Sequence, residues 1–266
     1  MDVLQVILLA FIQGLTEFLP VSSSAHVLLV SIFIDHTEPP VVFVTALHMG
    51  TLLAVLYYFR RELILMIKDG ILSCLGRGQT QYSRLMWALI GGTVPVALTG
   101  LLLNQYISDY LRTPLVIAIA MIIFALLLGI ADKRAVKTRD EYSLGWKDIL
   151  LIGVAQVFAL IPGASRSGTT MMAGLMVGLT REASARFSFL LSIPVIVLAG
   201  GYEASQLSVL DWATADLKLF GLGILIAAGV GLACIHVFLK LITRIGMMPF
   251  VIYRIILGVV LLILFW

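Results

Sequence analysis

Six long apolar stretches constrain this chain more than any other feature of its sequence. A helix needs about 20 mostly apolar residues to cross the hydrocarbon core of a bilayer. The composition agrees, because 61% of the 266 residues are hydrophobic and only 12% are charged. A soluble domain carries about 25% charged residues, so a soluble enzyme, a disordered chain and a nucleic-acid-binding module are excluded. The predicted spans are 41–58, 85–103, 114–131, 186–201, 219–239 and 249–266.

Two further apolar regions are interrupted. Residues 3–34 are broken by Pro20 and a run of serines, and residues 149–179 are broken by Pro162 and a polar run after it. Each half is too short to span a bilayer alone. Irregular backbone lies at membrane depth only where protein or a water-filled cavity satisfies its polar groups. We therefore predict two re-entrant helical hairpins whose tips line a cavity.

The basic residues predict the orientation. With six spans and two hairpins, fourteen of the eighteen Lys and Arg residues fall on one side. The positive-inside rule makes that side cytoplasmic, so both chain ends are predicted to lie outside. If either interrupted region crossed the bilayer fully, the basic loops would lie on opposite sides. The positive-inside rule therefore favours re-entrant hairpins.

Three short matches predict an internal repeat. We expect a single membrane domain over 1–266 with repeat one at about 1–140 and repeat two at about 141–266. Each half holds one hairpin and three spans, and because three is odd the halves are inserted in opposite senses. The fold class is an all-α polytopic membrane protein with six transmembrane helices and two re-entrant helical hairpins in an inverted repeat, an architecture that places a site near the midplane. The matching pairs are 13–20 with 156–162, 43–47 with 187–191 and 114–117 with 249–252.

The first interruption carries side chains suited to metal binding and to nucleophilic attack. Gln13 and Glu17 are four residues apart, so they share one face of a helix. A carboxylate and an amide oxygen together can hold a hard cation such as Mg²⁺. Ser23 and His26 are three residues apart, so the imidazole could act as a base for the hydroxyl. A carboxylate at membrane depth favours function over a structural ion pair for Glu17. For His26, a hydrogen-bonded core histidine is an equal alternative.

The second interruption resembles a phosphate-binding loop. Residues 165–170 read Ser-Arg-Ser-Gly-Thr-Thr, and the amides that begin the following helix would join the hydroxyls and the Arg166 guanidinium around an anion. Gly163 and Gly168 would let the backbone approach a ligand closely. Alternatively, Arg166 pairs with Glu17 across the repeat, and the pair opens around phosphate. The loop is not a Walker A sequence, because no Gly-Lys-Ser/Thr follows the glycines.

One arginine of the last span allows two interpretations. Arg254 lies about five residues inside that span, or roughly 7–8 Å of helix. It either extends to the cytoplasmic surface or belongs to the site. The small residues within 219–234 allow close helix packing, within one chain or between the two chains of a homodimer.

Together, the two tips resemble the paired signatures of undecaprenyl-diphosphate phosphatase, the bacitracin-resistance family of bacterial inner membranes. The matching segments are Gln-Gly-Leu-Thr-Glu-Phe-Leu-Pro-Val-Ser-Ser-Ser-Ala-His and Pro-Gly-Ala-Ser-Arg-Ser-Gly-Thr-Thr, and the resemblance covers essentially the whole chain. It implies that the terminal phosphate of the C55 lipid carrier diphosphate is removed at the periplasmic face. The family needs a divalent cation, and its product is the monophosphate used in cell-wall synthesis.

The resemblance also implies roles for individual residues. Gln13 and Glu17 would hold the cation, with Mg²⁺ expected first and Ca²⁺ as the alternative. Gln13 stands where some members have glutamate, so one metal-binding charge is missing. We assign the catalytic role to Glu17, Ser23, His26 and Arg166. We assign phosphate binding to Ser165, Arg166, Ser167, Gly168, Thr170 and Arg254.

Several alternatives stay open from the sequence. The attacking group is Ser23 with His26 as base, a water activated by the metal or by His26, or His26 itself. The partners would be a polyprenyl diphosphate lipid and the bilayer, with no nucleic acid. A transporter of the polyprenyl phosphate carrier is the alternative function, since inverted repeats with broken helices are typical of transporters. The acid-phosphatase-like lipid phosphatases are excluded, because the next histidine after Arg166 is His236.

Overall fold

The computed structural model describes residues 2–34, 40–206 and 216–265. These ranges contain eleven α-helices and no strand, only an isolated bridge between Arg139 and Leu179. Short π and 3₁₀ turns lie at Ile107–Leu111, Glu141–Ser143 and Phe158–Leu160. The helices are α1 (Val3–Thr16), α2 (Ser23–Ile34), α3 (Val41–Tyr58), α4 (Arg60–Cys74), α5 (Gln81–Tyr106), α6 (Pro114–Arg134), α7 (Trp146–Val157), α8 (Arg166–Met176), α9 (Arg181–Gln206), α10 (Leu217–Ile245) and α11 (Met248–Phe265).

Six of these helices are long and apolar enough to cross a membrane, which confirms the predicted number of spans. They are α3, α5, α6, α9, α10 and α11. Several extend beyond the predicted limits, because hydropathy locates only the apolar part of a helix while the backbone hydrogen bonds continue through its polar ends. Thus α9 begins at Arg181 and ends at Gln206. Residue 266 of the last predicted span lies outside the described residues.

Both predicted interruptions are breaks between helices. Residues 17–22 separate α1 from α2, and residues 158–165 separate α7 from α8. The helices within each pair contact one another. Their re-entrance in a bilayer stays a prediction.

The short helices pack on long helices of the opposite half of the chain. Helix α1 packs on α10, and α7 packs on α5. Both contacts are close: a Cβ atom at Gly14 would lie 2.8 Å from the carbonyl oxygen of Ala227, and one at Gly153 would lie 2.8 Å from that of Gly92. An inverted repeat would produce this exchange of partners, although the repeat itself stays a prediction.

Ion pairs connect the ends of several helices near loops that are predicted to form the basic side. Arg186 of α9 pairs with Glu62 at 2.7 Å and with Glu141 at 2.5 Å. The Tyr142 hydroxyl donates to Glu62 at 2.6 Å. Burial and this hydrogen bond to a carboxylate raise the pKa of Tyr142. These contacts hold α4, α9 and the segment between α6 and α7 together at the end of the bundle away from the second half of α9.

Helix α8 lies at the centre of the bundle. Its residues from Ser167 to Leu175 are all buried, and it contacts α6, α7 and α9. The Phe18 ring, next to Glu17, packs edge-on against Phe189 of α9 at 5.2 Å between centroids. The core therefore surrounds both helix breaks and places the two tips against one another.

Candidate active site

Each tip turns through a serine with a left-handed backbone. Ser22 has φ 74° and precedes α2, and Ser165 has φ 71° and precedes α8. Positive φ is uncommon for residues other than glycine and marks a position that the surrounding structure holds. The Ser165 hydroxyl oxygen also accepts the Gly168 amide at 3.1 Å, which caps α8. A serine with positive φ is therefore the last residue before the next helix at both tips.

Glu17 is the residue on which the two tips converge. Its Oε1 accepts from Arg166 Nη2 at 2.9 Å, and its Oε2 accepts from Ser23 Oγ at 2.8 Å. Gln13 Nε2 donates to Oε2 at 2.9 Å, and His48 Nε2 lies 3.8 Å from that oxygen. Glu17 is only 8% exposed, and charge-assisted bonds of this kind are strong when buried. The pairing of Glu17 with Arg166 across the two halves is therefore confirmed.

Further hydrogen bonds join the tips beside this ion pair. Ser167 Oγ donates to the Leu19 carbonyl at 2.7 Å, so the start of α8 is bound to the first tip. Arg166 Nη1 donates to the Ser188 carbonyl of α9 at 3.1 Å. These two bonds fix the guanidinium and the start of α8 relative to Glu17.

Arg254 lies behind the tips and is completely buried. Its Nη2 donates to the carbonyls of Gly163 and Ala164 at 2.9 and 2.8 Å, and its Nη1 donates to the Pro20 carbonyl at 3.4 Å. The alternative that it extends to the cytoplasmic surface is wrong, because these carbonyls of both tips hold the guanidinium inside the protein. Its Nε has no hydrogen-bond partner among the described residues.

The two glycines of the second tip accommodate protein atoms. A Cβ at Gly168 would lie 2.8 Å from Arg254 Nη1. Gly163 has φ +92°, and a Cβ there would lie 2.4 Å from the Ile117 carbonyl oxygen. Both glycines therefore permit a close approach of protein atoms, from Arg254 and from α6, and their approach to a ligand stays a prediction.

A cavity of about 230 Å³ opens at the junction of the tips. One wall is polar and contains the ion pair of Glu17 and Arg166. The other wall is mostly apolar and is formed by α5, the turn after α7, and α9. The polar wall consists of Glu17, Ser22, Ser23, Ser24, His48, Ser165, Arg166 and Ser167, and the second wall of Val96, Ala159, Leu160, Ile161, Val195, Ile196, Ala199, Gly200 and Glu203.

Five of the predicted site residues do not line this cavity: Gln13, His26, Gly168, Thr170 and Arg254. Thr170 bonds to the Arg166 carbonyl at 2.8 Å and to Ser188 Oγ at 2.7 Å. These bonds support the backbone of α8. The roles assigned to the five residues stay predictions, and Gln13, His26, Gly168 and Thr170 each bond to a residue that does line the cavity.

His26 makes two hydrogen bonds away from Ser23. Its Nδ1 donates to the Ser22 carbonyl at 2.7 Å, and its Nε2 lies 2.6 Å from the Tyr253 hydroxyl, with the two rings stacked. A carbonyl can only accept, so Nδ1 carries the proton and Nε2 accepts from tyrosine. The hydroxyl of Ser23 bonds to Glu17 instead. The predicted contact between Ser23 and His26 is therefore not formed in this arrangement.

Two ionisable residues of the cavity were not among the predicted site residues, and His48 was set aside because no motif surrounds it. His48 and Glu203 both line it, and Glu203 accepts from Thr45, three residues before His48 on α3. Each is an ionisable residue in or beside an apolar span, and such a residue is a functional candidate by that fact alone. This signal was available for His48, but the spacing of sequence motifs did not connect it with Glu17.

A family comparison identifies the protein's relatives. The family model described as bacitracin resistance protein BacA matches residues 6–260. The chain belongs to the BacA family. Because its described residues also form six helices long and apolar enough to cross a membrane, it is a multi-pass membrane protein.

Full-length relatives within the BacA family carry one enzymatic name. "Undecaprenyl-diphosphatase 2" of Stutzerimonas stutzeri (strain A1501) is 53% identical over 100% of this chain and 99% of its own length. "Undecaprenyl-diphosphatase" of Thioalkalivibrio sulfidiphilus (strain HL-EbGR7) is 50% identical, and that of Nitrosococcus oceani is 49% identical, each over 100% of both chains. The resemblance of the two tips to this family is therefore confirmed.

Proposed function

We propose that this BacA-family protein is a phosphatase that hydrolyses undecaprenyl diphosphate to undecaprenyl phosphate and inorganic phosphate. The observation that carries the proposal is the junction of the two signature tips, where Ser23 and Arg166 both contact Glu17 at the wall of one cavity. The names of the full-length relatives support the same activity. Undecaprenyl phosphate would serve again as the lipid carrier for cell-wall synthesis, and hydrolysis of the diphosphate would confer resistance to bacitracin.

The polar wall would bind the diphosphate. Arg166, the first residue of α8, lines the cavity from the second tip, and a guanidinium at the start of a helix is suited to binding phosphate. Ser165 and Ser167, whose hydroxyls lie 3.2 Å apart, flank the same position. A phosphate group that enters here would take over the bond that Arg166 now gives to Glu17. The ion pair therefore acts as the resting form of the site.

The apolar wall would receive the first part of the lipid chain. It is formed by Val96 of α5, by residues 159–161 and by Val195, Ile196 and Ala199 of α9. Apolar side chains of this kind can contact a hydrocarbon chain without leaving a polar group unpaired. A substrate with a charged head and an apolar tail fits a cavity with one wall of each type.

Ser23 is the proposed nucleophile. Its Oγ would attack the terminal phosphorus, forming an Oγ–P bond as the bond to the bridging oxygen breaks and undecaprenyl phosphate leaves. The carboxylate of Glu17, 2.8 Å from Oγ, is the acceptor within reach of the hydroxyl proton. Water would then hydrolyse the phosphoserine and release inorganic phosphate. His26 could take the proton only if its ring turned away from Tyr253.

The predicted divalent cation, Mg²⁺ or Ca²⁺, fits this site through Glu17. The carboxylate lines the cavity beside the position proposed for the diphosphate. The described residues contain no group of three or more His, Cys, Asp or Glu side chains suited to a metal, so phosphate oxygens and water would supply most of the ligands. When bound, the cation would neutralise the charge that moves to the leaving group.

The position of the cavity supports an opening on the side opposite the basic loops. Every residue of α9 that lines it lies between Val195 and Glu203, whereas the basic-side ion pairs are made by Arg186 at the other end of the same helix. The basic side would be cytoplasmic by the positive-inside rule. We therefore propose that the protein lies in the bacterial inner membrane with a periplasmic active site and periplasmic chain ends. Hydrolysis is favoured over transport of the lipid carrier, since the relatives bear a hydrolase name.

The test is phosphate release from undecaprenyl diphosphate by the purified protein in detergent. We expect release that requires a divalent cation and stops with EDTA. Ser23→Ala should lose at least about 10³-fold in kcat, and rapid quenching of the wild type with substrate labelled in its terminal phosphate should trap label on Ser23.

Ser143→Ala, at an exposed serine on the basic side, is the matched control and should keep full activity. Full activity of Ser23→Ala would exclude the serine mechanism, and no release by folded wild type would contradict the function.

A further inference from the structure

Tyr253 of α11 holds the imidazole ring of His26. Its hydroxyl lies 2.6 Å from His26 Nε2, and the two rings stack at 5.6 Å between centroids with 11° between their planes. The other ring nitrogen, Nδ1, donates to the Ser22 carbonyl at 2.7 Å. Because a carbonyl can only accept, Nδ1 carries the proton and the tyrosine hydroxyl donates to Nε2. Both nitrogens of a neutral imidazole are therefore occupied, which fixes the position of the ring.

The His26 ring in turn stabilises the turn before α2. Ser22 has φ 74°, and a residue keeps such a conformation only where the surrounding structure holds it. The Ser22 carbonyl accepts from the backbone nitrogen of His26 at 3.4 Å and from Nδ1 of the same residue at 2.7 Å. The first distance is longer than a usual N–H···O bond. The imidazole therefore makes the shorter of the two bonds that hold this carbonyl.

The carbonyl that His26 holds belongs to the peptide group in front of Ser23. A peptide group is planar, so a bond to its oxygen also fixes the direction in which the chain enters Ser23. Ser23 Oγ donates to Glu17 at 2.8 Å. Direct contacts thus connect the Tyr253 hydroxyl, through the His26 ring, to the peptide group of Ser23. Neither Tyr253 nor His26 lines the cavity, so both act on Ser23 from outside it.

Two consecutive residues of α11 hold the first tip at two points. Arg254 donates to the Pro20 carbonyl at 3.4 Å, and Tyr253 is connected to the Ser22 carbonyl through His26. Neighbouring residues of a helix point about 100° apart, so the two side chains contact different parts of the tip. Tyr253 therefore supports the segment that carries the proposed nucleophile.

We propose that Tyr253 is a positioning residue for Ser23. Its hydroxyl fixes the His26 ring, the ring fixes the peptide group before Ser23, and Ser23 Oγ is thereby kept beside Glu17. This inference rests on the proposed function, because Ser23 is the proposed nucleophile. It predicts that the hydroxyl of Tyr253, and not only its ring, is needed for fast attack on the terminal phosphorus.

The direct test compares Tyr253→Phe with the wild type in phosphate release from undecaprenyl diphosphate by the full-length protein in detergent. Phenylalanine keeps the stacked ring and removes only the hydroxyl. A displacement of a reacting group by about 1 Å can cost about 10²-fold in rate, so we expect kcat to fall by about 10-fold or more. KM should stay nearly unchanged, since Tyr253 does not line the cavity. Tyr57→Phe, at an exposed tyrosine of α3, is the matched control and should keep full activity.

A double-mutant cycle with His26→Asn tests whether Tyr253 acts through His26. The asparagine amide can still donate to the Ser22 carbonyl from the position of Nδ1, but it has no atom at the position of Nε2. Tyr253→Phe should therefore cause little further loss of kcat in the His26→Asn background. A full additional loss would show that the tyrosine hydroxyl acts independently of His26 and would overturn the inference. Thermal unfolding of each variant checks that it is folded.

A ¹⁵N NMR spectrum of the histidine-labelled protein reports the same contact without substrate. The wild type should show a His26 ring with its proton on Nδ1. Tyr253→Phe should shift the Nε2 resonance, because the hydrogen bond from the tyrosine is lost. His26→Asn removes the signals of this ring and so identifies them. A proton on Nε2 in the wild type, or an Nε2 resonance that is unchanged in Tyr253→Phe, would overturn the inference.

The outcomes separate this inference from the proposed function. Phosphate release by the wild type and by Tyr253→Phe at equal rates would leave hydrolysis standing and overturn the role of Tyr253. Faster release by Tyr253→Phe would show that the tyrosine restrains His26 from reacting, which also contradicts the inference. No release by folded wild type would contradict the phosphatase, and with it the positioning of a nucleophile, even where NMR shows the bond from Tyr253 to His26.

Discussion

In both helix breaks, a serine with positive φ stands nine residues after a buried glutamine and one residue before the next helix. The glutamines are Gln13 and Gln156, and the serines are Ser22 and Ser165. The residues that follow the serines are the first of α2 and α8, Ser23 and Arg166. Both contact the same carboxylate, at 2.8 and 2.9 Å. The two tips therefore share a backbone turn and place different chemistry at the same point of it.

The difference shows that each half of the chain supplies different functional groups to one site. The first tip supplies a hydroxyl and a carboxylate, and the second supplies a guanidinium and the start of a buried helix. Neither set alone would hold an anionic diphosphate next to a nucleophile. The tips are also held from behind by one residue, Arg254, which donates to carbonyls of both. The site therefore exists only where the halves meet.

After loss of the proposed nucleophile Ser23, the largest effect should follow loss of the Arg166 charge from the second tip. Arg166→Ala removes the charge that would stabilise the transferring phosphoryl group, and loss of such a group typically costs about 10²–10³ in kcat. The measurement is phosphate release from undecaprenyl diphosphate. Arg77→Ala, at an exposed arginine before α5, is the matched control and should remain active. Arg166→Ala at wild-type rate would show that the second tip does not contact the reacting phosphate.

The next effect should follow loss of Arg254, which donates hydrogen bonds to carbonyls of both tips. Arg254→Met leaves buried carbonyls without their donor, and each unpaired buried group costs about 1–3 kcal/mol. We expect a lower unfolding temperature in detergent together with loss of phosphate release. Arg254→Lys keeps the charge and should recover part of the stability. Unchanged stability of Arg254→Met would mean that the tips are held together by the ion pair of Glu17 and Arg166 alone.

Smaller effects should distinguish the two glycines of the second tip. Gly163→Ala meets the backbone of α6 at a φ of +92°. It should destabilise the protein more than Gly168→Ala, which meets side-chain atoms of Arg254 and Ser165. Gly229→Ala is the control, because a Cβ there has no atom within 4 Å and alanine is the better helix former by about 1 kcal/mol. Thermal unfolding ranks the three variants. Equal unfolding temperatures for Gly163→Ala and Gly229→Ala would contradict the tight approach to α6.

Much of the fold could be predicted because the bilayer imposes simple rules. The six spans follow from apolar length, and both breaks follow from proline and runs of polar residues. The pairing of Glu17 with Arg166 was predicted as one of two alternatives, since two opposite charges at membrane depth tend to meet.

The neighbours of single side chains could not be predicted in the same way. The depth of Arg254 along α11 gave no indication that carbonyls of both tips surround it. Local spacing predicted that His26 contacts Ser23. In the structure its Nε2 instead bonds to the hydroxyl of Tyr253, which is 227 residues away in sequence. His48 was missed because its place in the cavity depends on how α3 packs against the first tip. Each of these contacts is set by tertiary packing and not by a local pattern.

The most direct test of a single centre built from both tips is a double-mutant cycle on Ser23 and Arg166. Phosphate release is measured for the wild type, Ser23→Ala, Arg166→Ala and the double variant under the same conditions. Residues that act as a unit in catalysis lose little more together than the more harmful change loses alone. We predict that the activity of the double variant is close to that of the less active single variant. A loss equal to the product of the two single losses would show that the two tips act independently and would contradict a shared centre at Glu17.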